Sequence, residues 1–144
     1  MQEDTAVQKP LGLLLVDADQ WMGQQVMILM AARGHKLSAS EFGFLANLDC
    51  GETHASSVAR RMGISRQAVY RTTRALQDQG LLKLLDDPER GNQKIVSMTD
   101  QGKAFVTAAR ECLAEAEAEL ARRIGDDHVA ALKAALSAPW GPAG

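Results

Sequence analysis

The chain has 144 residues, 46% of them apolar and 4% aromatic, with a formal net charge of −2. That is the length of one ordinary domain, with enough apolar residues for a core and an aromatic-poor, alanine-rich composition that suits a mainly helical build. No stretch reaches the roughly 18 uninterrupted apolar residues of a membrane span, and the first residues lack the basic start and cleavage pattern of a secretory signal, so a cytoplasmic protein with no membrane partner is expected.

The small net charge hides a division along the chain. From His54 to Lys94, eight Lys or Arg oppose four Asp or Glu, a local +4 set against −6 in the remainder. A basic central module on acidic flanks steers a polyanion by its local field, whatever the total.

In chain order, the first expected helix runs from Leu11 to about Arg33. It carries Leu13, Leu14, Leu15, Val16, Trp21, Met22, Val26, Met27, Ile28, Leu29 and Met30, too many apolar positions for one stripe. One subunit cannot easily cover them all.

The run Ser57 to Leu82, SVARRMGISRQAVYRTTRALQDQGLL, reads as two short helices joined at Gly63. Val58, Ala59 and Met62 form the inner side of the first, leaving Arg60 and Arg61 to solvent. Gly63 tolerates the left-handed conformation that ends a helix. Ile64 plugs the turn, and Ser65 caps a second helix that runs to about Gln79 and stops at Gly80. Val69, Thr72 or Thr73, and Leu76 make its inward stripe, so Arg66, Gln67, Tyr70, Arg71 and Arg74 lie on the other faces. Arg and Gln bond base edges bidentately in the major groove, and Arg also neutralises phosphate. The second helix therefore has the outline of a recognition helix, with Gln67 and Arg71 nearest base edges and Arg66 and Arg74 nearer phosphates.

Two short strands are expected next, Leu81 to Leu85 and Lys94 to Met98, around the polar, turn-rich Asp86 to Gln93. They form a wing whose cations are Lys83, Arg90 and Lys94, and an arginine on such a loop reaches toward an adjacent minor groove. Thr99 then caps a helix from Asp100 to Arg123, with Phe105, Ala109, Cys112, Ala116 and Leu120 inward and Glu119 spaced to pair with Arg123. A last helix, about Asp126 to Ser137, adds Val129, Leu132 and Leu136. The tail with Pro139, Trp140, Gly141 and Pro142 ends regular structure.

No catalytic signature accompanies this pattern. His35, His54 and His128 are far apart, in no nucleophile, phosphate-loop or metal motif, and are assigned to loops and caps. Cys50 and Cys112 have neither CxxC nor zinc spacing and should stay reduced. The chain is therefore expected to be no enzyme and to need no metal or cofactor.

The order and wording of these segments resemble the MarR family of bacterial winged helix-turn-helix transcriptional regulators, over about Pro10 to Leu136. The resemblance is carried by Ser65 to Leu82, by KIVSMTDQG from Lys94 to Gly102, and by Ser38 to Leu48 (SASEFGFLANL), which is similar to the family's second helix. It implies a single domain over 1–144, mainly α. A three-helix core with a two-stranded β-wing makes a DNA-binding module over 38–98, and dimerisation helices lie at 10–33 and 100–137. The function it implies is a homodimeric regulator, a repressor, on a pseudo-palindromic double-stranded DNA operator. A small aromatic or phenolic effector releases it, and Trp21, Met22, Met30, His35 and Phe42 are the places to look for that molecule.

The DNA-facing set is then Ser65, Arg66, Gln67, Tyr70, Arg71, Arg74, Arg90 and Lys94. One departure stands out. Where the family's wing carries Asp-x-Arg, this chain has Arg90, Gly91 and Asn92, so its bracing acid is Asp86, Asp87 or Glu89, or is missing. The alternatives are a thiol- or metal-responsive sensor on the same fold, and a winged-helix module that binds proteins.

Overall fold

The computed structural model describes residues 8–49 and 51–144. Its order is α1 (Leu11–Ala32), α2 (Ala39–Ala46), β1 (Glu52–His54), α3 (Ala55–Met62), α4 (Arg66–Asp78), β2 (Leu82–Asp86), β3 (Lys94–Met98), α5 (Asp100–Ile124) and α6 (Asp126–Ser137). Met1–Leu29 with Glu111–Gly144 makes one compact unit and Met30–Arg110 the other. Among the described residues, no helix is long and apolar enough to cross a membrane.

In the unit Met30–Arg110, α3 and α4 pack on a small antiparallel sheet in the order β1-β3-β2, and α2 packs against α4. The wing hairpin is in the expected place, with Leu82 opposite Met98 and Asp86 opposite Lys94. The expected two strands are joined by a third: Glu52 pairs with Ser97 and His54 with Ile95. Phe44, Leu45, Val58, Val69, Leu76, Leu82, Val96 and Phe105 are buried here, which removes the apolar faces of all three helices and the sheet from water.

Local chemistry sets the helix ends. Ser38 caps α2 through a capping box, its hydroxyl accepting the Glu41 amide at 3.1 Å while the Glu41 carboxylate receives the Ser38 amide at 3.3 Å. The Glu41 carboxyl lies below its ordinary range: burial opposes ionisation, but hydrogen bonds from the Gln79 and Ser38 side chains and the Ser38 amide outweigh it. Gly63 ends α3 at φ 65, ψ 33, and the Ile64 amide returns to the Ala59 carbonyl at 3.0 Å.

The start of α5 is built into the wing. The Thr99 hydroxyl accepts the Gly102 amide at 3.0 Å and donates toward the carbonyls of Gly80 and Leu81, 2.6 and 3.0 Å away. Gly102 is buried, and a Cβ there would meet the Leu81 carbonyl oxygen at 2.2 Å.

In the other unit, Val26, Cys112, Ala116 and Val129 are buried. The expected pairing on α5 is present, with Arg123 donating to Glu119 at 2.9 Å and Arg122 joining the same carboxylate. Those two arginines hold the Glu119 carboxyl below its usual range. Leu11, Leu13, Leu14 and Val16 stay exposed, the surplus that α1's apolar richness foretold, and Leu132 and Leu136 of α6 stay exposed too.

Candidate nucleic-acid interface

Ser65 fixes where the recognition helix begins. Its backbone is extended (φ −73, ψ 156), and its hydroxyl accepts the Ala68 amide at 3.1 Å, leaving the first turn of α4 presented to solvent. Val69, Thr73 and Leu76 are buried, so Thr73 takes the inward place that spacing left open between Thr72 and Thr73. Its hydroxyl donates to the Val69 carbonyl at 2.7 Å, which satisfies it inside the core.

With that face inward, Arg66, Gln67, Arg71 and Arg74 are exposed and Tyr70 is half-buried between them. Gln67, Arg71 and Arg74 follow one another at helical spacing, so they share one face. Among the described residues, Arg66, Arg71 and Arg74 form no ion pair. Three exposed cations left unneutralised by the fold give this helix a positive potential available to a polyanion.

Other predicted cations are less free. Lys94 is bonded to Asp86 across the wing stem. Arg61, expected in solvent, instead grips Asp49 with two bonds of 3.1 and 3.2 Å and the Asn47 carbonyl at 2.9 Å. It ties α3 to the end of α2, a bidentate use of arginine that the sequence alone cannot distinguish from a solvated one.

Arg90 is exposed at the wing tip. Of the acids considered as its brace, Asp86 holds Lys94, and Asp87 is buried. Asp87 accepts the Glu89 amide at 2.9 Å and faces His54 Nε2 at 3.2 Å. Its carboxyl lies below the ordinary range, first because of the Glu89 amide, then the His54 side chain and the Arg90 amide. Asp87 thus braces the backbone that presents Arg90, not its guanidinium.

A polar cleft of about 330 Å³ opens here, lined by His54, Ser56, Ser57, Arg60, Asp87, Glu89, Arg90 and Gln93. Sequence reasoning assigned the three histidines to loops and caps, and His54 stands at the N-cap position of α3 with no side-chain cap bond. It did not single out Ser56, Ser57, Arg60 or Gln93, because a three-residue strand before them left no periodic signal.

The expected effector residues fall in both units. Trp21, half-buried on α1, has the Arg123 guanidinium 5.4 Å over its ring, and Met22 beside it is half-buried. Met30 is fully buried, and Phe42 is half-buried on α2. His35, in the loop after α1, meets Phe105 edge to face at 5.0 Å. Cys112 is buried, Cys50 lies outside the described residues, and no group of three or more His, Cys, Asp and Glu among the described residues is placed to hold a metal.

No protein-family model matches the chain, and no curated protein matches it in sequence. Solved structures do resemble it. Wild-type apo MarR from E. coli has a TM-score of 0.75 at 20% identity, over 89% of this chain and 95% of that one. A MarR-family transcriptional regulator from Rhodococcus sp. RHA1 has a TM-score of 0.69 at 19% identity, over 88% and 89%. The transcriptional repressor CouR, bound to a 23-mer DNA duplex, has a TM-score of 0.72 at 25% identity, over 89% and 90%. Helix order, the wing and these likenesses agree: the chain has the winged helix-turn-helix fold of the MarR-family transcriptional regulators.

Proposed function

We propose that the chain is a sequence-specific DNA-binding transcriptional regulator of MarR type. It acts as a homodimer that represses from a pseudo-palindromic operator and is released by a small aromatic or phenolic effector. The observation that carries this reading is the exposed row on α4, where Arg66, Gln67, Arg71 and Arg74 face solvent with no acid against the arginines among the described residues. Structural neighbours held with DNA support it: E. coli MarR complexed with operator DNA, and CouR on its duplex.

Gln67 and Arg71 are assigned to base edges, Arg66 and Arg74 to phosphates, and Ser65 and Tyr70 to the margins of the same contact. Arg90 is assigned to the minor groove, with Lys94 at the wing's base. The dimer follows from the apolar residues left exposed on α1 and α6, since a two-fold pair sets two recognition helices about one duplex turn apart, roughly 34–36 Å. The effector works by population shift, favouring a spacing of those helices that no longer fits successive grooves.

Fluorescence anisotropy with a duplex from the DNA upstream of the protein's own gene tests the reading. If each subunit engages about four phosphates, affinity falls by on the order of 10³ to 10⁵ between about 50 and 200 mM salt. A binding curve indifferent to salt, or no complex at all, overturns it.

A further inference from the structure

One side-chain contact ties the wing tip to the start of α3: His54 faces Asp87. His54 is at once the last residue of β1 and the N-cap position of α3. Its ring is half-exposed, while the Asp87 carboxylate it faces at 3.2 Å is 8% exposed. Asp87 opens the wing tip: its amide donates to the Gln93 carbonyl at 3.0 Å, and the Gln93 amide returns to the Arg90 carbonyl at 2.8 Å. The Asp87 carboxylate therefore shapes the turn that carries Arg90, and His54 joins that turn to the start of α3.

We propose that the His54–Asp87 contact is a proton-dependent clasp and that His54 is a positioning residue for Arg90, so that DNA affinity rises as the imidazole becomes charged. The proposal rests on the DNA-binding reading above. Imidazole is the side chain that gains its charge between about pH 8 and 5. Neutral, it shares one hydrogen bond with Asp87. Charged, it makes a charge-assisted one, roughly twice as strong.

The groups facing His54 do not cancel this effect. From the wing come Asp87, Glu89 and Arg90; from α3 comes Arg60; Glu52 shares its face of β1; and β3 sets the uncharged Ile95 opposite. Asp87 alone is in bonding contact, and its depressed carboxyl stays ionised throughout the imidazole range. Arg60 and Arg90 keep their charge at every relevant pH.

The test is anisotropy with the same upstream duplex at fixed salt, at about pH 8 and about pH 6, for wild type, His54→Gln, Asp87→Asn and Arg90→Ala. Wild type is expected to bind roughly three- to tenfold tighter at the lower pH. All three variants are expected to lose that difference; His54→Gln and Asp87→Asn should bind at about pH 8 within a few-fold of wild type, whereas Arg90→Ala, which removes a DNA contact, should bind more weakly at both pH values. Asp87→Asn separates the clasp from mere added charge, because it leaves the His54 imidazole in place and removes the carboxylate that faces it. A pH response that survives in Asp87→Asn or Arg90→Ala overturns the clasp, as does a wild type that binds equally at both pH values. Wild type failing to bind at either pH overturns the DNA-binding reading itself. Circular dichroism at both pH values excludes unfolding of a variant, and should Asp87→Asn unfold, His54→Gln and Arg90→Ala decide the outcome.

Discussion

Gly102 shows how one residue sets the angle between wing and helix. A side chain there meets Leu81 backbone at 2.2 Å and Met98 Cγ at 2.8 Å, and the Leu81 carbonyl is already fixed by the Thr99 amide at 3.1 Å. Neither neighbour can retreat without loosening the joint. Gly102→Ala should therefore cost about 1 to 3 kcal/mol in urea unfolding. Gly91→Ala, in open space at the wing tip, should stay within about 0.5 kcal/mol; equal costs would remove the close approach as the reason for glycine. The exposed arginines of α4 divide differently. Arg71→Ala is expected to lose about 1 to 3 kcal/mol on the cognate duplex and to relax sequence choice, whereas Arg74→Ala should weaken cognate and random duplex alike. Anisotropy on both duplexes distinguishes them, and parallel losses for both variants refute the assignment of Arg71 to bases.

At the scale of elements, α4 begins at a residue with two tasks. Ser65 caps the helix through the Ala68 amide and stands on the face assigned to DNA. Ser65→Ala should cost about 1 kcal/mol of stability. Ser65→Asp keeps a capping oxygen and favours the helix dipole, so it should hold stability but bind DNA more weakly by repelling phosphate. Thermal unfolding and anisotropy on the two variants separate the tasks, and if Ser65→Asp binds as well as wild type, Ser65 lies away from the backbone. The elements legible in the sequence are those with such local markers: Ser65 and Gly63 around the turn, Thr99 before α5, and the apolar Ile95, Val96 and Met98 of β3 after a turn-rich loop. What escaped depends on distant pairing. β1 exists because Glu52–His54 finds β3, over forty residues on, and three residues carry no period of their own. Arg61 looked solvated because its partner Asp49 lies twelve positions back across a turn. The wing's acid was left as one of three candidates or none, and only folding reveals that Asp87 turns inward while Asp86 takes Lys94.

For the whole molecule, charge and apolar surface are divided in a way a single subunit does not use. The basic stretch His54 to Lys94 carries +4 and the rest −6, so phosphate is attracted to one part of the chain and repelled by the rest. Leu13 and Leu136 remain 53% and 51% exposed, and isolated exposed leucines are ordinary, but a set of six on α1 and α6 is a surface awaiting a cover. If a second copy provides it, Leu13→Glu should leave each subunit folded, since the residue contributes little to its own core, yet shift the protein to monomer in light scattering. Each monomer would then meet DNA with one recognition helix and about four phosphates instead of eight. The slope of log affinity against log salt, about 0.9 per phosphate, should fall by half, from roughly −7 to roughly −3.6. That halving is the decisive quantity, because simple destabilisation lowers the active fraction without changing how many counterions each bound molecule releases. A Leu13→Glu protein that stays dimeric, or a monomer with the parent's full slope, would mean that the paired helices are held by some other surface.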